Sequence, residues 1–217
     1  MNKLWLAVAL VSIFGISAVG EMPEQQTEFT GAGIFYQPGQ DDDYDNGFGA
    51  EGQARFWMNS NVGLALSLGV ASWQINEQDR VMSDGLYGAG ASIDGNVVLI
   101  PFGGSVLYRP INENRIAITL EGGIRYVLVD SNAEIEAGIA NAYGAYVYGK
   151  DTIKMDNGVI GIIGLNIESK VSRQLSFLAG LHYQFDIVKG ETEWIDYKLS
   201  KNELKAIMFK VGLALKI

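Results

Sequence analysis

The feature that most constrains this chain is an apolar period of two, which sets in near residue 28 and persists to the last residue. Ile207, Phe209, Val211, Leu213, Leu215 and Ile217 alternate with Ala206, Met208, Lys210, Gly212, Ala214 and Lys216. Successive Cβ atoms of an extended chain point to opposite faces, so this segment is a strand with a large apolar face and a small or charged one. The split recurs upstream. Ile116, Ile118, Leu120, Ile124, Tyr126 and Leu128 oppose Arg115, Thr119, Glu121, Gly123 and Arg125. Leu175, Phe177, Ala179, Leu181, Tyr183, Phe185 and Ile187 oppose Ser176, Gly180, His182, Gln184 and Asp186. Leu64, Leu66 and Leu68 oppose Ala65, Ser67 and Gly69, and Phe48, Ala50, Ala54 and Phe56 oppose Glu51, Gln53, Arg55 and Trp57.

Segments 28–36, 94–109 and 156–169 carry the pattern less cleanly, and both faces of Val97 to Phe102 are apolar, which leaves their facing open. These segments bring the expected strands to eight. The connections near 58–61, 110–114 and 170–173 are short and carry turn residues; those near 37–46, 77–92, 131–155 and 190–202 are longer and polar or tyrosine-rich. Strict alternation of short and long connections predicts an all-β, eight-stranded antiparallel up-and-down transmembrane β-barrel, with short turns on the periplasmic side and long loops outside.

Alternation alone does not say which face meets lipid. A soluble periplasmic lipocalin-like barrel would turn the apolar face inward. A charge on the lipid side costs about 2–4 kcal/mol at the midplane. In a membrane barrel, Glu51, Arg55, Glu121, Arg125, Glu168, His182, Asp186 and Lys210 therefore face the lumen. The non-apolar face is rich in Gly and Ala, which suits a narrow interior. Phe56, Tyr108, Tyr126 and Phe185 fall toward strand ends, where interfacial girdles form.

The rest of the chain fits export. Lys3 precedes an apolar stretch, Leu4 to Ile16, and Ala18 and Gly20 supply small residues for cleavage after Gly20. The expected organisation is a signal peptide over 1–20, an N-terminal tail over 21–27 and a barrel domain over 28–217. No run reaches the roughly 18 apolar residues of a membrane helix. The formal charge of −9 argues against nucleic acid as a partner. The absence of Cys removes disulfides, thiolate metal sites and a cysteine nucleophile.

With these segments in view, the chain resembles the small outer-membrane β-barrel family of OmpA, OmpX and opacity-type porin domains. The resemblance rests on the signal peptide, on Leu-Glu-Gly-Gly-Ile-Arg-Tyr at 120–126, on Leu-Ala-Gly-Leu-His-Tyr-Gln-Phe at 178–185 and on the closing Phe-Lys-Val-Gly-Leu-Ala-Leu-Lys-Ile. It implies a barrel in the bacterial outer membrane whose partners are membrane lipids, the assembly machinery and an extracellular ligand at the loops. The family usually ends on an aromatic residue, where this chain has Ile217.

Candidate chemistry is sparse. Eight strands enclose an interior just wide enough for side chains, so the inward charges pair into a polar plug or, alternatively, line a gated ion path. Asp41, Asp43 and Asp45 stand before Gly47 as in a calcium loop, yet the sixth and twelfth positions from Asp41 are Asn46 and Gly52, which departs from the EF-hand. That loop is a weak metal candidate only. His182 could serve a hydrolase, but Gln184 holds the neighbouring same-face position and Ser176 lies too far along the strand. Tyr143, Tyr146, Tyr148, Trp194 and Tyr197 in the long connections suit protein or glycan contact, interface anchoring, or strands extended above the membrane with a turn near Gly138 to Asn141. The expected function is a non-enzymatic, cofactor-free structural or surface-interaction barrel. The alternative is a narrow porin-like channel for small or hydrophobic solutes.

Overall fold

The computed structural model describes residues 26–39, 46–83, 87–141, 146–189, 191–194, 197–201 and 204–217. The expected signal peptide, nearly all of the tail and the Asp41, Asp43 and Asp45 loop lie outside these residues. The described residues form eleven strands: β1 Gln26–Pro38, β2 Gly47–Trp57, β3 Val62–Ser83, β4 Tyr87–Asn112, β5 Ile116–Asn141, β6 Tyr146–Met155, β7 Gly158–Lys170, β8 Leu175–Val188, β9 Glu191–Trp194, β10 Tyr197–Lys201 and β11 Ala206–Lys216. Eight of them, β1–β2–β3–β4–β5–β7–β8–β11, form an antiparallel ring. It closes where β1 pairs with β11, from Glu28↔Lys216 to Pro38↔Ala206. Closure leaves no barrel edge unpaired, the only way strands can cross lipid.

Short turns join the staves at one end. Asn59 Oδ1 accepts from the backbone N–H groups of Asn61 and Val62 at 2.9 and 2.7 Å. Ser172 Oγ accepts from those of Gln174 and Leu175 at 3.3 and 3.1 Å. Both are side-chain-closed turns of the kind Asn and Ser favour. The two chain ends of the barrel meet at this same end, where Gln26 pairs with Trp57 and Glu28 with Lys216.

At the other end the sequence-based expectation needs correction. Much of the expected loops at 77–92 and 131–155 is strand. β3 and β4 stay paired as far as Ser83↔Gly88, and β4 and β5 as far as Tyr87↔Asn141. β6 then lies along the upper half of β5, from Ala133↔Ile153 to Ala140↔Tyr146. Tyr146 and Tyr148 thus belong to an extended ribbon, and Gly138 to Asn141, expected as a turn, are strand. Crossing hydrocarbon takes roughly 9–11 residues of a tilted strand, and β4 and β5 have 26 each. The surplus reads as loop in the sequence because lipid imposes the apolar alternation. Backbone pairing continues after that demand ends.

The wall is apolar outside and filled inside. Leu66 and Val211 are 63% and 71% exposed, while Glu121 and Arg125 on the opposite face are 4% and 1% exposed. The soluble reading, with its apolar face inside, is thereby excluded. The open question in β4 is also settled: Val97 and Leu99 are buried in the lumen, and Ile100 and Phe102 face out. Val97 and Leu99 join Tyr36, Trp73, Ile160 and Met208 in an apolar layer filling the lumen toward the ribbon end.

Several glycines make room for rings on the paired strand. A Cβ at Gly63, Gly161 or Gly164 would fall on the ring of Trp57, Phe185 or His182 respectively, and each of these residues is the glycine's direct partner. The ring folds over the bare backbone and replaces the packing the glycine lacks.

Candidate functional site: the charge network of the lumen

Below the apolar layer, buried charges bridge the barrel in two groups. The first lies toward the short turns and draws one residue from each of four strands: Glu28 on β1, Arg55 on β2, Arg109 on β4 and Glu168 on β7. Arg55 Nη1 donates to Glu168 Oε1 at 2.6 Å and to Glu28 Oε1 at 3.3 Å. Arg109 Nη2 reaches Glu28 Oε2 at 3.2 Å and Glu168 Oε2 at 3.1 Å. Each carboxylate is shared by both guanidiniums, whose planar forks suit this double use. Trp57 Nε1 donates to Glu28 Oε2 at 3.1 Å, and its ring lies 3.8 Å from the Arg109 guanidinium carbon, a cation–π contact. Arg109 Nε is satisfied by Thr119 Oγ1 at 3.2 Å.

The second group sits nearer mid-barrel. Glu51 accepts from Lys210 Nζ at 2.7 Å and also pairs with Arg125. Glu121 accepts from Gln53 Nε2 and Ser105 Oγ, both at 2.9 Å, and from Asn166 Nδ2 at 3.3 Å. Asn166 Oδ1 lies 2.9 Å from His182 Nε2, and His182 Nδ1 stands 4.0 Å from Glu121 Oε2. Gln53 links the groups, since its Oε1 accepts from Arg55 Nε.

The structure joins Glu51, Arg55, Glu121, Arg125, Glu168, His182 and Lys210 through these contacts. Asp186 lies half-buried toward the ribbon end, at the register position of Ile160, where its Oδ1 accepts from the Leu204 N–H at 2.9 Å. That is the apolar end of the lumen. Sequence reasoning missed Glu28 and Arg109, both fully buried. Glu28 opens the segment 28–36, whose facing the sequence leaves open, although it shares parity with Thr30 and Ala32. Arg109 belongs to the segment whose facing was open, and the alternation from Tyr108 would have placed it inside. With Glu28 and Arg109 added, four carboxylates and four cations among the described residues make up the two groups. Charge balance is what burial demands, because an uncompensated buried ion is strongly destabilising.

The arrangement suits support rather than hydrolysis. Ser176 is buried with no hydrogen bond to its Oγ among the described residues, and His182 is engaged by Asn166 instead. Among the described residues, no three His, Asp or Glu side chains form a group that could hold a metal ion.

No protein-family model and no curated protein sequence matches the chain. Solved structures do. The outer membrane protein OprG from Pseudomonas aeruginosa superposes with a TM-score of 0.62 at 11% identity, covering 91% of this chain and 98% of that one. Neisserial surface protein A gives 0.51 at 12% identity, covering 91% and 100%. The chain has the fold of the small outer-membrane β-barrels. At such identities the likeness carries the architecture: an eight-membered ring, short turns at one end and long excursions at the other.

Proposed function

We propose that this protein is a structural or surface-interaction barrel of the bacterial outer membrane, acting through its wall and its ribbons rather than through its lumen. The filled interior carries this reading. A charge network spans one storey and an apolar layer, including Trp73, Tyr36 and Met208, fills the next. Eight strands leave no width to spare around such side chains. The ribbons of β3, β4, β5 and β6 extend well beyond the bilayer and supply the surface on which an extracellular ligand would dock. A Neisserial protein of this fold is named as a surface protein, in keeping with such a role. Along the wall the partners are outer-membrane lipids and, during insertion, the assembly machinery.

The test has two arms. In planar bilayers the purified protein should give no persistent single-channel openings; stable openings would replace this reading with the narrow channel. On intact cells, a Gly149→Cys substitution, at an exposed position of β6, should react with a membrane-impermeant maleimide. Absence of labelling on cells, with labelling after lysis, would place the ribbons on the wrong side.

A further inference from the structure

The chain is acidic overall, at −9, yet the short-turn end gathers cations on one arc of the rim. Arg115 precedes β5, Lys170 ends β7, Arg173 sits in the β7–β8 turn and Lys216 ends β11. These strands are consecutive neighbours in the ring. Backbone bonds fix the adjacency: Lys170 N–H donates to Arg115 O at 2.9 Å, and Lys216 N–H donates to Gln174 O at 2.8 Å. The turns at this end carry one exposed carboxylate, Glu113, whose backbone oxygen accepts from Lys170 Nζ. The connection over 37–46 at the other end carries four Asp and no Lys or Arg.

Arg115 and Arg173 are exposed and make no side-chain hydrogen bond or ion pair among the described residues. Lys170 Nζ also donates to Asn112 Oδ1 at 3.0 Å, so its hydrogen-bond partners among the described residues are an amide and a backbone oxygen rather than a carboxylate. On the outer face of the same strands and turn, Ile116, Val171, Phe177 and Leu215 are exposed and apolar. Hydrocarbon contact and unneutralised cations therefore meet along one boundary. A phosphodiester with acyl chains matches both, with its phosphate at the cations and its chains against the apolar column.

We propose that Arg115, Lys170, Arg173 and Lys216 form a headgroup site for an anionic phospholipid of the periplasmic leaflet. The proposal rests on the transmembrane orientation given above. Each cation near a membrane surface contributes about fivefold to the attraction of anionic lipid at moderate salt.

The test uses the full protein, purified in non-ionic detergent and offered a mixture of phosphatidylglycerol and phosphatidylethanolamine, with retained lipid counted by native mass spectrometry. Wild type should retain phosphatidylglycerol preferentially. The Arg115→Gln/Arg173→Gln double variant, which removes no side-chain hydrogen bond or ion pair among the described residues, should lose that preference by roughly thirtyfold. Lys189→Gln/Lys205→Gln, which removes as much charge at the opposite end, should keep it. Equal retention of both lipids by wild type, or an unchanged preference in the arginine variant, overturns the site. Release of the lipid by millimolar inorganic phosphate would show a general anion site and overturn the lipid assignment. Flotation with phosphatidylcholine vesicles separates the two levels. A protein that floats but does not select lipid loses only this site, and one that does not float loses the membrane orientation and the site together.

Discussion

Glu168 is the most informative residue to perturb. Its side chain is fully buried, and it accepts from Arg55 Nη1 at 2.6 Å and from Arg109 Nη2 at 3.1 and 3.3 Å. Glu168→Gln keeps the shape and removes the charge. Two guanidiniums then share Glu28 alone, deep in the wall where neither can turn to bulk water. Breaking one member of a buried ion-pair set costs about 3–5 kcal/mol, a large share of the roughly 5–15 kcal/mol that folded domains of this kind hold in reserve. The assay is reversible urea unfolding of protein inserted in lipid vesicles, followed by tryptophan emission and by heat-modifiable gel migration. The second half of the experiment restores balance: Glu168→Gln/Arg55→Gln leaves Arg109 facing Glu28 as a single pair. The double variant should be more stable than the sum of its single changes by about 2 kcal/mol or more. If Glu168→Gln costs under about 1 kcal/mol, the network behaves like a solvated surface cluster, and the dry, charge-balanced lumen inferred here is wrong.

Other expectations follow from the layered interior. Arg125→Ala alone should leave bilayer conductance at baseline, because Trp73 and its neighbours still fill the lumen; Arg125→Ala with Trp73→Ala should raise it. A conductance increase in the single variant would make the charged storey the sole barrier. Gly164→Ala drives a methyl into the His182 ring and should cost about 1–3 kcal/mol in vesicle unfolding. Adding His182→Ala should recover part of that loss, and a harmless Gly164→Ala would refute the packing. Val211→Arg, on the lipid face of β11, should destabilise the inserted barrel by about 2–4 kcal/mol; an exposed aqueous position would tolerate it.

How much of the site was legible differs by residue. Glu121, Arg125 and Lys210 were assigned to the lumen because each interrupts a strongly alternating segment whose other face is apolar. Arg109 was hidden by the doubly apolar run Val97 to Phe102 just before it, whose inner half belongs to the apolar storey. Asp186 has the lumen parity, but parity fixes a side and not a height, and it stands at the height of Ile160 in the apolar layer. Which carboxylate meets which cation depends on β1, β2, β4 and β7 facing one another across the lumen. Glu28 and Glu168 are far apart in sequence, and no local spacing announces that they share two arginines.

The sequence by itself determined the strand period, the number of barrel staves and the sorting of short and long connections. All three follow from local geometry, which acts on each segment independently; which face turns outward came with the closed ring. Only the tertiary structure decided the two-storey lumen, the sharing of Glu28 and Glu168 by Arg55 and Arg109, and the continuation of β3, β4, β5 and β6 beyond the membrane. Those depend on ring closure and register, which bring residues from different strands to the same height. Beyond the lipid, backbone pairing proceeds without the apolar alternation that had marked the strands.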